Sequence, residues 1–141
     1  MLNLLLWTVT FLGIVALLRF SWRSAMRRRG FRLIRILGAQ EGVLRSAVDV
    51  RVRRGRSGGV GFFARRGTVV LTSERLAGFA HRARFVLVKG RGVEARTVRA
   101  EDGWLVVQPR SREGEAGAPL GFRVEDPEGW AREARRALRG G

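Results

Sequence analysis

No charged side chain occurs between Met1 and Leu18, and from Leu4 to Leu18 the chain reads LLLWTVTFLGIVALL. A run this apolar on every side has no polar face to turn to water, so it does not fit the surface helix of a soluble domain. As a helix, 18 residues extend roughly 27 Å, enough for a hydrocarbon core of about 30 Å. Thr8 and Thr10 are tolerated in such a span because their hydroxyls can bond back to helix carbonyls. Trp7 and Trp22 suit the two headgroup zones. Asn3, Gly13 and Ala16 add polar and small surface for packing against neighbouring spans.

The flanks set the expected orientation. A cleaved secretory signal carries its positive charge before the apolar run and a small-residue cleavage site after it. Here no Lys or Arg precedes the run, and Arg19, Arg23, Arg27, Arg28 and Arg29 follow it. Positive flanks stay on the cytoplasmic side. The expectation is a single-pass protein of the inner (cytoplasmic) membrane, N-terminus outside, with residues 19–141 in the cytoplasm. The absence of cysteine agrees with a reducing compartment.

The chain has 141 residues and a net charge of +16, unevenly spread. Residues 19–99 hold 21 basic groups against Glu41, Asp49, Glu74 and Glu94, whereas residues 100–141 hold seven arginines against eight acids. The first part of that basic field, residues 21–40, is amphipathic. Phe31, Leu33, Ile34 and Leu37 recur at helical spacing, and Arg28, Arg29, Arg32 and Arg35 fall elsewhere around the turn. This segment reads either as an interfacial helix on anionic lipid or as a connector into the domain. Gly30 is a candidate break and Gly38 a candidate end.

From Glu41 the period changes to two. Val48, Val50 and Val52 alternate with charges, as in a half-buried strand. Further strand candidates are Phe62–Ala64, Thr68–Thr72, Arg75–Ala80, Phe85–Val88, Val93–Val98, Trp104–Gln108 and Leu120–Val124. Turn signals separate them, among them Ser57-Gly58-Gly59, Lys89-Gly90-Arg91-Gly92 and Glu101-Asp102-Gly103. Seven or eight short antiparallel strands predict a sandwich or partly open barrel. A closing helix is expected after Asp126 as N-cap and Pro127 at the first position, with Trp130, Ala134 and Leu138 forming one apolar stripe that plugs the open end.

Within this pattern, Gly67-Thr68-Val69-Val70-Leu71-Thr72-Ser73-Glu74-Arg75-Leu76-Ala77-Gly78-Phe79 resembles the G-x-L-x-L-T-x-x-R-L-x-x-F signature of GRAM and bacterial PH-like domains. The order Trp104–Val107, Phe122–Val124 and Asp126–Trp130 is similar to that family's last strands and capping helix. The resemblance covers residues 41–139. It implies a mainly-β PH-like domain over 41–141, behind a transmembrane helix over 1–20 and a basic connector over 21–40. Gly67, Leu71, Thr72, Arg75, Leu76, Phe79 and Trp130 are its fold-signature positions. Thr72 and Ser73 are expected to start a turn, Arg75 to satisfy carbonyls or an acid across it, and Leu76 and Phe79 to enter the core.

The residues offer little to an enzyme. Glu101 and Asp102 sit in a predicted turn, and Glu125, Asp126 and Glu128 are explained by capping. Ser73 has no histidine near it, and His81, the only one, stands beside Arg82 in a loop. The glycines of residues 55–61 lack a phosphate-loop lysine and precede a strand. No catalytic, metal-ligating or cofactor-binding set is expected. The reading is a non-enzymatic accessory or scaffold subunit of a larger membrane assembly; photosynthetic, respiratory and secretion assemblies each fit. Its partners would be other integral membrane subunits and an acidic protein surface on the cytoplasmic side. Contact candidates are Arg27, Arg28, Arg29, Arg51, Arg53, Arg54, Arg56, Arg65 and Arg66, with Phe62 and Phe63 as insertion groups. The alternative is binding of anionic lipid headgroups by the same arginines, since the resemblance implies a basic loop between the first strands that grips phosphates. A further alternative is non-specific binding of nucleic-acid phosphates through the +16 charge, disfavoured by the membrane tether and the lack of an aromatic stacking motif; no specific nucleic-acid partner is expected.

Overall fold

The structure is a computed structural model that describes residues 1–54, 65–80, 83–90, 97–108 and 119–139. It opens with helix α1 (Leu2–Gln40), continues through strands β1 (Val43–Arg54), β2 (Arg65–Thr72), β3 (Arg75–Ala80), β4 (Ala83–Val88), β5 (Val98–Glu101), β6 (Trp104–Val107) and β7 (Leu120–Phe122), and ends with helix α2 (Pro127–Leu138). The strands form one antiparallel sheet in the order β4-β3-β2-β1-β7-β6-β5. The expected class is therefore observed: a long apolar N-terminal helix, a curled antiparallel sheet and a closing helix.

The concave side of the sheet holds the main core. Phe122, Leu71, Leu76, Leu105, Val69, Val98 and Val107 are fully buried there with Leu138 of α2. Helix α2 starts as its sequence predicts. The Asp126 side chain accepts the Gly129 N–H at 3.1 Å, and Pro127 takes the first turn, where its missing N–H costs nothing. Trp130, Ala131, Ala134 and Leu138 then face the sheet and close the open side. The predicted turn at Asp102-Gly103 joins β5 to β6 with positive φ at both residues (51° and 77°), the geometry of the tight hairpin turns that match strand twist.

Four expectations need correction. Helix α1 runs unbroken through Gly30 and Gly38 to Gln40, because packing overrides glycine's low helix propensity: a Cβ on Gly30 would lie 2.5 Å from Thr68 Oγ1 and 2.8 Å from Val48 Cγ1. Phe31 is exposed, while Leu33, Ile34 and Leu37 face the sheet. Phe79 does not enter the main core. On a strand, side chains three apart point to opposite faces, so Leu76 and Ala80 go in while Ala77 and Phe79 face out towards α1. Finally, β5 begins at Val98 and carries on to Glu101, where the turn was expected to start, because Val98 to Glu101 pair with Val107 to Trp104. The expected strand at Phe62–Ala64, and residues 93–96, lie outside the described residues.

Candidate interaction surface

Helix α1 has two halves with opposite surroundings. Its first half is exposed on all sides: Leu4, Leu5, Leu6, Trp7, Phe11, Leu12, Leu17 and Leu18 each present more than half their surface. This is the one helix among the described residues long and apolar enough to cross a membrane. Thr8 and Thr10 donate to the carbonyls of Leu4 and Leu6 at 2.7 and 2.8 Å, so neither hydroxyl is left unsatisfied. The second half lies along the convex face of the sheet. Leu33, Ile34 and Leu37 pack on Val70, Ala77 and Val43, with Met26 also buried.

Both ends of this seam are fixed by charge. At the far end Glu41, just past the helix, meets the Thr72 hydroxyl at 2.5 Å and the Arg75 guanidinium. Thr72 also accepts the Arg75 N–H at 3.0 Å, the turn role expected of it. The Thr72 hydrogen bond, helped by Arg75 against the opposing effect of burial, holds the Glu41 carboxyl below the usual carboxylate range. At the near end Arg23 reaches Asp49 at 3.6 Å. Asp49 adopts positive φ (57°) at an irregularity in β1 between Ala47 and Val50. Its carbonyl accepts from Arg66 at 2.8 Å.

The remaining candidates fall into three groups. Arg27 and Arg28 are exposed on α1, and Arg29 stands over the Phe79 ring at 5.7 Å. Arg29, Arg32 and Arg84 border a groove of about 370 Å³ between α1 and the β3–β4 face, floored by Leu33, Phe79 and Val86. Arg51, Arg54 and Arg65 are exposed on β1 and β2, near the Arg66 just described. Arg53 instead lies over the Trp104 ring at 4.9 Å, and Arg123 over the same ring at 5.5 Å. Arg56, Phe62 and Phe63 lie outside the described residues. Among the fold-signature positions, Gly67, Leu71, Thr72 and Leu76 are buried in the sheet, and Trp130 is buried beneath α2.

Sequence reading missed a second basic surface. Arg132, Arg135, Arg136 and Arg139 gather along α2, and Arg132 and Arg136 also line a cleft of about 730 Å³ with Lys89 and Ser73. Two acids that cancel this charge in a linear count, Asp126 and Glu133, are occupied by Arg45 of β1. Glu133 is the main reason the Arg45 guanidinium is held even more firmly protonated than usual. The signal available was the i, i+3, i+4 and i+7 spacing of the four arginines on a helix whose apolar stripe was already known.

No protein-family model, curated protein or solved structure matches the chain. Fold and surface still define a class. The chain carries a mainly-β domain on the extension of a helix long and apolar enough to cross a membrane.

Proposed function

We propose that this chain is a non-enzymatic, single-pass accessory subunit of a larger membrane assembly. Its PH-like domain braces a partner at the cytoplasmic surface, N-terminus outside. The observation that carries the reading is the continuity of α1. One helix of 39 residues, about 58 Å long, runs from the apolar half into the seam with no hinge. A domain that only needed to stay near a membrane would be served by a flexible tether. A rigid one fixes the domain's height and rotation relative to the span, which is useful when one partner is gripped at both levels. The bare apolar half offers Gly13, Ala16 and the two threonines to neighbouring spans. The arginines of α2 suit an acidic cytoplasmic surface.

The test is gentle solubilisation of native membranes followed by sizing and mass spectrometry of what co-migrates. Stoichiometric co-migration with a large assembly is expected, and its loss on Arg132→Glu with Arg136→Glu would locate the docking face. Migration of the wild-type chain alone would overturn the reading.

A further inference from the structure

The cluster of Arg53, Arg123 and Trp104 sits on a part of the sheet that no other element among the described residues covers, and its place relative to α1 says what does. This placement rests on the reading of α1 as a membrane span. Along β1, contacts with α1 step back towards the apolar half: Val43 meets Gly38, Val48 meets Gly30, and Asp49 meets Arg23. Strand β1 therefore runs towards the bilayer. The first charge after the apolar run is Arg19, and Arg23 stands only about 6 Å further along the helix axis. Asp49 is thus at headgroup level.

Five more strand residues continued straight would descend about 17 Å, deep into hydrocarbon. They carry Arg51, Arg53 and Arg54, so that path is closed. The irregularity at Asp49 bends the strand instead. Val50 and Val52 stay with the concave core while the strand bends, so the convex face, which faced α1 before the bend, turns to the bilayer after it. Arg51 and Arg53 lie on that convex face, and the neighbouring β7 and β6 bring Gly121, Arg123 and Trp104 onto it.

The local geometry is built rather than incidental. Arg53 lies flat across Gly121, where a Cβ would come 2.7 Å from its Cγ and 2.9 Å from its Nε. Its Nε is shielded from solvent and makes no hydrogen bond. Two guanidinium groups share one indole, and among the described residues no acid pairs with either. Of the acids on the adjoining hairpin, Glu101 is taken by Arg99 at 3.1 Å and Asp102 stands at the turn. Stacking on a ring leaves the N–H edges of a guanidinium free for bidentate contact with an anion. An indole half apolar and half wet belongs at the same depth as lipid headgroups.

We infer that Arg53, Arg123 and Trp104, with Arg51 beside them, form a headgroup-binding patch that seats the domain on anionic lipid of the leaflet next to α1. The full-length chain is reconstituted in vesicles of phosphatidylcholine with a minority of phosphatidylglycerol, brominated on the acyl chains of one lipid or the other. The difference between wild type and Trp104→Phe isolates the emission of Trp104. Quenching by both lipids is expected, with brominated phosphatidylglycerol roughly two- to fivefold more effective per mole. Arg53→Gln with Arg123→Gln should bring that ratio to about one, and Arg53→Lys with Arg123→Lys should restore only part of it. An unquenched Trp104 would overturn the inference and leave the patch to an acidic protein. Equal quenching by both lipids would overturn the preference for anionic headgroups. Trp7→Phe separates the two levels of the argument: if it removes no quenching, α1 does not span and the underlying reading fails first.

Discussion

On the concave side of the sheet Phe122, Leu105, Leu71, Leu76 and Leu138 are all out of solvent, and Trp130 closes the layer from α2. On the convex side the seam with α1 buries a smaller set, Leu37, Val70 and Ala77 with Met26 and Thr68, supported by half-buried Leu33, Ile34 and Val43 and by a glycine set against that threonine. The first side is a core of large side chains, of the kind on which folding depends. The second is a seam made close by small residues and fixed by ion pairs at its ends. Folding of the domain and its attachment to α1 are thus separable properties, and each can be broken alone.

The largest effect is expected on the concave side. Trp130→Ala removes a side chain that is 4% exposed and should cost on the order of 3–5 kcal/mol. Thermal melting of the full chain in mild detergent should show loss of the sheet signal at a markedly lower temperature, while the helical signal of the apolar half persists. A wild-type melting temperature would mean that α2 does not close the core.

A smaller effect belongs to the seam. Gly30→Val puts a branched side chain where even a Cβ meets Thr68 and Val48, a clash worth about 1–3 kcal/mol. Helix α1 should lift from the sheet while the concave core stays folded. Amide exchange at Val70 and Ala77 would rise, and exchange at Leu105 and Phe122 would not. Equal loss of protection at both sets would show that the two faces form one cooperative unit after all.

How much of this was legible in the sequence follows the same division. The apolar first half of α1, the turn at Asp102-Gly103 and the capped start of α2 are local features, each fixed by neighbours within a few residues. The continuity of α1 was not legible, because Gly30 reads as a helix breaker unless Thr68, distant in sequence, is known to press against it. Phe79 was misplaced by a motif that ignores the two-residue period. Arg53 and Arg123 were visible only as charge, since the indole they share comes from β6 and the glycine beneath Arg53 from β7. The arginines of α2 were hidden by a net charge that counted Asp126 and Glu133 as free, when Arg45 occupies both.

The smallest effect sharpens the comparison by using pH. Glu41 is a charged tie between the end of α1 and the turn after β2, and Thr72 with Arg75 holds its folded-state pKa below 4.5. A carboxylate with a lowered pKa stabilises the fold above its unfolded value, and that contribution disappears as pH falls through the folded value. Arg75 is partly exposed, so the gain is about 1 kcal/mol. Stability of the wild-type seam, read by amide exchange at Val70, should therefore be level near neutral pH and decline below about pH 4.5. Glu41→Gln should start lower and lose that part of the decline, with exchange at Leu105 unaffected by the substitution. An identical acid profile in wild type and variant would remove Glu41 from the seam and leave its far end to Leu37 and Val43 alone.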